Sequence, residues 1–339
     1  LVQWGETFRP AYYRLGAVRP ALLQTKPAGT RIAIAAFTAT ANPQAQQTIQ
    51  RILQLSQPEV FQLSPYRSNL ALSVRIAWTP RQRRQQMLKF IQARPGQAGL
   101  IYVRTRRDSE TLAEWLTEQK LSTTAYHAGL SPSERRSIET DWISDKTQFV
   151  VCTCAFGMGI NKPNVRWVVN FHAPSLLSEY VQEVGRAGRD GKPSQALTLI
   201  SEPTGWLDPE DQQRRKFFEE KVRSQQQVAQ QLAGKLPRTG EVTAVSRQFR
   251  DGAIALSLLH GAGKLHWQDP FHYVMQAAPA AATASSLESM AQNTGAAQQM
   301  TQYLQCRECR WQFLLKAFGF TKEAQGLRCG QCDNCCKQK

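Results

Sequence analysis

Short apolar runs recur through the first two hundred residues at intervals that leave little choice of architecture. They are "RIAIAAF" (31–37), "GLIYV" (99–103), "FVVC" (149–152), "WVVNF" (167–171) and "QALTLI" (195–200). Each has the length of a strand, is rich in Val, Ile and aromatic residues, and is followed by a segment long enough to hold a helix. Parallel strands can be joined only by a crossover, and strands covered on both faces read as unbroken apolar stretches rather than as alternating ones. The pattern therefore predicts an α/β fold of parallel β-α-β units. Two of the intervening segments carry helical signals of their own. "SETLAEWLTEQK" (109–120) alternates apolar and charged residues at helical spacing, and "SPSERRSIETDWI" (131–143) opens with Ser131 as an N-cap and Pro132 at the first helical position.

The character changes after residue 206. "DPEDQQRRKFFEEKVRSQQQVAQQLA" (208–233) is polar, charged and free of glycine, a helix or helical linker. Pro237 and Gly240 mark a break, and "FRDGAIALSLLHGAGKLHWQDPFHYVM" (249–275) reads as helix, turn, strand, turn, strand. The small residues of 277–299 suggest a linker. Lys and Arg number 42 against 26 Asp and Glu, a formal charge of +16, so the surface field attracts polyanions and nucleic acid is the first partner to consider. No run of about 18 apolar residues occurs, nor does a signal-peptide pattern, and the chain is read as soluble and intracellular.

Six of the eight cysteines crowd the last 34 residues: Cys306, Cys309, Cys329, Cys332, Cys335 and Cys336. In a reducing compartment C-x₂-C, nineteen residues, then C-x₂-C-x₂-C is a tetrahedral zinc pattern. Spacing alone permits Cys306, Cys309, Cys329 and Cys332 as the ligands.

"YVQEVGRAGRDG" (180–191) sets Arg186 and Arg189 three apart within a glycine frame, so both can address one target. Guanidinium forks onto phosphate oxygens. Yet the 339 residues contain no G-x-x-x-x-G-K-[ST] loop and no D-E-x-H or D-E-x-D box. Either the arginines pair with local carboxylates such as Glu183 or Asp190, or they serve a phosphate bound by another segment. Upstream, "VVCTCAFGMGINKPNVRWVVNFHAP" (150–174) runs from a buried strand into a Gly-x-Gly loop, where open α/β sheets bind ligands. Before it come "AFTATA" (36–41), "IYVRTRRDSETLA" (101–113) and "YHAGLSPSERR" (126–136).

In this order these segments resemble successive motifs of superfamily 2 helicases, and their wording is similar to the RecQ family of ATP-dependent DNA helicases. The likeness covers about residues 1–205 and 300–336. Its opening "LVQWGETFRPAYYRLG" resembles the aromatic-rich loop that follows the family's acidic box. The resemblance thus places most of the first nucleotide-binding lobe, with its P-loop and Mg²⁺ carboxylates, outside this polypeptide. Two positions depart from the usual family wording: Glu6-Thr7 stands for His-Asp and Asn161 for Asp.

The resemblance implies an order of parts. Residues 1–65 would be a remnant of the first RecA-like lobe and 66–206 the second lobe, followed by a helical linker (207–236). A winged-helix-like segment (237–276), a linker (277–299) and a zinc-binding subdomain (300–339) would complete the chain. Arg189 would be the arginine finger reaching the ATP γ-phosphate, with Arg186 in support and Gln182, Gly157 and Gly159 lining the cleft. Thr38 and Thr40 would couple nucleotide state to the strand path. Trp4, Phe8 and Arg9 would sense single-stranded DNA, while Arg104, Thr105, Arg106, His127 and Gly129 would grip phosphates. His127 fits a buried or surface histidine equally well. Among the cysteines the resemblance selects Cys309, Cys329, Cys332 and Cys335, closed around a structural Zn²⁺. The implied activity is 3′–5′ DNA unwinding in recombination and repair, in the cytoplasm at the nucleoid, on single strands and duplex junctions. ATP and Mg²⁺ would enter with the missing lobe, and this chain alone would lack ATPase activity. A non-motor DNA-binding adaptor and an RNA helicase are the alternatives.

Overall fold

Six parallel strands in the order β1-β6-β5-β2-β4-β3 form the central sheet of the chain, for which a computed structural model describes residues 10–157, 160–276 and 298–336. They are β1 (Leu70–Ala77), β2 (Gly99–Tyr102), β3 (Thr123–Tyr126), β4 (Phe149–Cys152), β5 (Trp167–Asn170) and β6 (Ser194–Ser201). The α/β parallel-sheet fold expected from the apolar runs is the one observed. Alternation along the strands sends Leu100, Tyr102, Val150, Cys152 and Val168 to one face, and Ile101, Val103, Phe149, Val151 and Val169 to the other. Every residue of β2, β4 and β5 is buried, which is why these three read as continuous apolar runs.

Helices cover both faces. Against the second face pack α3 (Pro80–Gln92), through Met87, Phe90 and Ile91, and α4 (Arg106–Glu118), through Leu112, Ala113 and Leu116. Against the first pack Trp142 of α5 (Pro132–Ile143) and Leu177, Tyr180 and Val184 of α6 (Leu177–Val184). Helix starts follow the sequence signals. Ser131 caps α5 in a capping box with Glu134, Thr105 does the same for α4 with Asp108, and Thr79 with Pro80 opens α3.

The cysteine-rich tail belongs to this sheet. The chain folds as two compact units, Leu63–Arg215 with Ala297–Lys339, and Leu1–Gln62 with Lys216–Ala296. Within the first, the Trp311 indole N–H donates to Leu70 O (3.0 Å) and the Val74 N–H donates to Asp333 Oδ2 (3.0 Å), so the tail satisfies main-chain groups of the edge strand β1.

Arg83 is wholly buried beneath the start of α7 (Glu210–Ala233), with Nη2 3.0 Å from Asp208 and 3.2 Å from Asp211, and with Nη1 donating to Phe171 O. Removing one partner of a buried pair strands the other charge. Arg83→Ala is therefore expected to cost about 3–5 kcal/mol of unfolding free energy in urea titrations.

The second unit holds a 3-10 helix (Pro10–Ala17), α1 (Val18–Gln24), α2 (Pro43–Ile52), and an antiparallel sheet ordered β7-β9-β8. Its strands are β7 (Thr239–Glu241), β8 (Leu265–Trp267) and β9 (His272–Met275), with α8 (Val242–Gln248) and α9 (Gly252–Gly261). The helix-strand-strand order read in 249–275 is present as α9-β8-β9. Ala17 packs with Val242, Val245, Leu256 and Trp267, and the Ser257 hydroxyl donates to Pro10 O (3.1 Å).

One expectation fails. The run 31–37 is not a strand; it lies unpaired, and Phe37 is 95% exposed. A strand needs a ladder partner, and the three short strands described in this unit pair with one another.

Candidate functional site

α6 ends at Gly185, and the chain then turns through Arg186-Ala187-Gly188-Arg189 before entering β6. This turn is fixed from several directions. The Gly188 N–H donates to Val165 O (2.7 Å), while Gly188 O accepts from Asn69 Nδ2 (2.8 Å) and from Arg67. Arg186 donates to Gly157 O. Gly157 has φ +96°, and a Cβ there would lie 2.2 Å from the Arg186 guanidinium, so only glycine lets the two segments meet. Arg189 Nη1 donates to Asn161 Oδ1 (3.0 Å) and lies 3.4 Å from Ile160 O.

Both local carboxylates that could have neutralised these arginines are engaged elsewhere. Glu183 is 4% exposed and accepts from Arg104 Nη2 (2.8 Å) and Asn170 Nδ2 (2.5 Å). Asp190 accepts from Arg166 Nη2 at 2.6 and 2.7 Å. The hydrogen bonds that Arg186 and Arg189 make among the described residues thus go to neutral oxygens, and Arg186 Nε is buried without a partner. Burial, followed by the like charge of Arg186, moves Arg189 below its ordinary value, as expected of two cations held close together. Gln182 sits exposed on the last turns of α6. Gly159 lies outside the described residues.

The strand-end loops place the expected phosphate contacts unevenly. Arg104 follows β2 and is drawn inward: Nε donates to His172 O (3.2 Å), and although burial opposes its charge, Glu183 holds it above its usual value. Burial correspondingly pushes the Glu183 carboxyl up, against the pull of Arg104. Thr105 Oγ1 accepts from the Asp108 N–H (3.0 Å) as the cap of α4, and Arg106 is exposed at the first helical position. His127 is 5% exposed; its Nδ1 accepts from the Gly129 N–H (3.1 Å), which leaves the ring proton on Nε2 facing Glu110 (2.8 Å). A Cβ at Gly129 would come within 2.9 Å of Arg106 Nη1, so Arg106, His127 and Gly129 meet where the chain leaves β2 and β3, the two strands that flank β4.

In the second unit, the Thr38 hydroxyl accepts from the Thr40 N–H and donates to Thr40 O, both at 3.4 Å, in an exposed loop. Trp4, Phe8 and Arg9 lie outside the described residues.

The sulfurs of Cys309, Cys329, Cys332 and Cys335 lie within 4.8 Å of one another. A tetrahedral Zn²⁺ with bonds of ~2.3 Å needs sulfurs ~3.8 Å apart, and Cys329 and Cys335 are at 4.0 Å. Main-chain N–H groups aim at the same sulfurs: Cys329 N at Cys309 Sγ (3.4 Å), Cys332 N at Cys329 Sγ (3.3 Å) and Arg310 N at Cys332 Sγ (3.5 Å). That donor set stabilises thiolates and fits a closed structural site. Cys306 stands apart, its sulfur accepting from Arg310 Nη1 (3.5 Å) and Asn334 Nδ2 (3.8 Å), and burial pushes its thiol up. Geometry favours Cys335 over the Cys306 that spacing permitted.

Sequence reading missed Arg67, Asn69, Arg166 and Asn170, which hold the arginine turn and its acids. No local signal marks them; Arg67 meets Gly188 across 121 positions.

Two families match the chain: Helicase conserved C-terminal domain over residues 82–191, and RecQ zinc-binding over 273–336. The ATP-dependent DNA helicase RecQ of Synechocystis sp. is 46% identical over 335 residues, covering 99% of this chain and 68% of that protein. RecQ of Pasteurella multocida is 40% identical over 207 residues, 60% of this chain and 31% of the relative. The RecQ-like DNA helicase blm-1 of Caenorhabditis elegans is 39% identical over 199 residues, 59% of this chain and 20% of the relative.

Proposed function

The chain belongs to the RecQ helicase family, and on that premise we propose that its parallel-sheet unit is the second lobe of an ATP-driven motor moving 3′ to 5′ on DNA. Arg189 serves as the arginine finger and Arg186 as its support. The observation that carries this reading is the pair of guanidiniums held on neutral oxygens while Glu183 and Asp190 are occupied by Arg104 and Arg166. Cations kept close together while the nearby carboxylates hydrogen-bond to other arginines are poised for an external anion, here the phosphates of ATP bound with Mg²⁺ by a P-loop lobe. Arg106 and Gly129, with His127 behind them, face the DNA backbone at the strand ends. Contacts of this kind give affinity and salt dependence without sequence choice. The cysteine cluster holds zinc in a structural role.

Binding of a labelled single strand by the 339-residue chain tests the DNA half of the reading: affinity is expected to fall steeply with salt, and a flat response would reject it.

Glu183 connects the two halves. It stands on α6 three residues before Arg186, and it holds Arg104, which leads into Thr105 and Arg106. In a motor completed with a relative's P-loop lobe, Glu183→Gln is expected to lower the stimulation of ATP turnover by DNA roughly 5–150-fold while basal turnover persists. Equal loss of basal and stimulated rates would show Glu183 to be structural only.

A further inference from the structure

Where β6 ends, "SEPTGWLDP" (201–209) forms a turn that displays a tryptophan to solvent and is secured at both ends. The buried Glu202 carboxylate accepts from the N–H groups of Thr204 (2.7 Å) and Leu207 (3.0 Å), and the Gly205 N–H closes the turn onto Glu202 O (3.1 Å). Gly205 has φ +66°, and Gln212 Nε2 donates to Thr204 O (3.0 Å). At the far end the buried Asp208 is paired with Arg83. Trp206, held between these anchors, is 86% exposed. A large apolar ring kept in water by an ordered turn is not a packing residue.

The neighbouring strand repeats the feature. β1 pairs with β6 up to Ala77 and Ser201, and the next residue of β1's chain, Trp78, is 52% exposed. Exposed cations flank both rings in sequence, Arg81 on the first turn of α3 and Arg215 on α7. The acids nearby are occupied: Glu202 and Asp208 as described, Asp211 by Arg83 and Glu210 by Arg214. Arg214 also reaches Asp108 (3.0 Å), the residue that completes the cap of α4 beside Thr105 and Arg106. The tryptophan turn is thereby tied to the strand-end loop assigned to phosphate contact.

We propose that Trp206, assisted by Trp78, is a base-stacking platform that extends the single-strand track across the ends of β6 and β1. Aromatic faces accept any base, and a basic surround holds the backbone over them, which suits sequence-independent motion. The ligand is an unpaired strand, since a paired base does not offer its face. This inference rests on the DNA reading above.

The test uses the 339-residue chain, with fluorescence anisotropy of a labelled oligothymidine and of an abasic strand of equal length. Trp206→Ala is expected to weaken oligothymidine binding roughly tenfold, leaving the abasic strand unaffected, and Trp206→Phe to restore most of the loss. Trp206→Ala binding both strands as the wild type does, while Arg106→Ala weakens both, would overturn the platform and leave the DNA reading standing; the turn would then be free for a protein partner. An equal loss on both strands would also overturn stacking. Failure of the wild-type chain to bind either strand would remove the DNA reading itself.

Discussion

Arg189→Ala, in a motor that joins this parallel-sheet unit to a P-loop lobe from a RecQ relative, is expected to reduce ATP turnover at saturating DNA by roughly 10³–10⁵-fold. Single-strand affinity should remain unchanged, because Arg189 contacts Asn161 and Ile160 rather than the strand-end loops. The size of the effect follows from placement. A guanidinium moved from neutral oxygens to the charge developing on a transferred phosphoryl group acts in the transition state, with little rearrangement. Arg189→Lys should recover only part of the rate, since a point charge does not fork onto two oxygens. Arg186→Ala should behave differently: its hydrogen bond to Gly157 O fixes the 157 loop, so its loss should disturb nucleotide affinity as well as rate. Steady-state ATPase with varied ATP separates these effects. Retention of turnover by Arg189→Ala within roughly tenfold of wild type would remove the finger assignment. The 339 residues contain no phosphate loop, so the chain assayed by itself should show no turnover; robust hydrolysis would defeat the split-site reading.

The sheet was legible where burial is two-sided. β2, β4 and β5 are enclosed by helices on both faces, and their composition announces it. The strands absent from the apolar runs are the two edges of the sheet. β3 is "TTAY", half-buried and polar, and β1 is "LALSVRIA", whose alternation ends in exposed Arg75 and Ile76. The opposite error at 31–37 has the same origin, for apolar composition shows that a segment favours a strand, not that a partner strand exists to receive it.

The candidate site divides along similar lines. Arg186 and Arg189 could be named from a glycine frame of a dozen residues. What decides their chemistry, the diversion of Glu183 and Asp190 to Arg104 and Arg166, depends on contacts spanning 79 and 24 positions. Arg104 shows the converse. Its place at a strand end suggested phosphate, but the buried Glu183 alongside draws it inward and leaves Arg106 and Arg107 as the exposed cations.

Zinc removal should reach well beyond the tail that binds it. Trp311, 1% exposed, and Leu314 pack on the face of the sheet that also holds Leu70, Leu72 and Val74. Arg310 forks onto Asp333 at 2.8 and 2.9 Å and donates to Tyr303 O (2.6 Å), whose hydroxyl donates to Tyr180 of α6 (2.8 Å). The helix α10 (Arg310–Ala317) and the short α12 (Asp333–Cys336), separated by α11 (Thr321–Ala324), are joined by the Arg310–Asp333 pair and by the cysteine cluster. Binding energy at structural zinc is on the order of 10–16 kcal/mol in small peptides, comparable to the whole stability of a domain. Chelation should therefore release Trp311 from Leu70 O and Asp333 from Val74, uncovering edge strand β1 and lowering the thermal midpoint of the parallel-sheet unit along with the tail. Metal analysis is expected to give one zinc per chain for wild type and Cys306→Ser, and none for Cys329→Ser or Cys335→Ser. Hydrogen exchange should show β1 losing protection in the zinc-free variants ahead of the enclosed β2 and β5. A Cys335→Ser protein that keeps its zinc while Cys306→Ser loses it would reverse the ligand assignment. Full zinc loss with β1 still protected would mean that the tail rests on the sheet without sealing it.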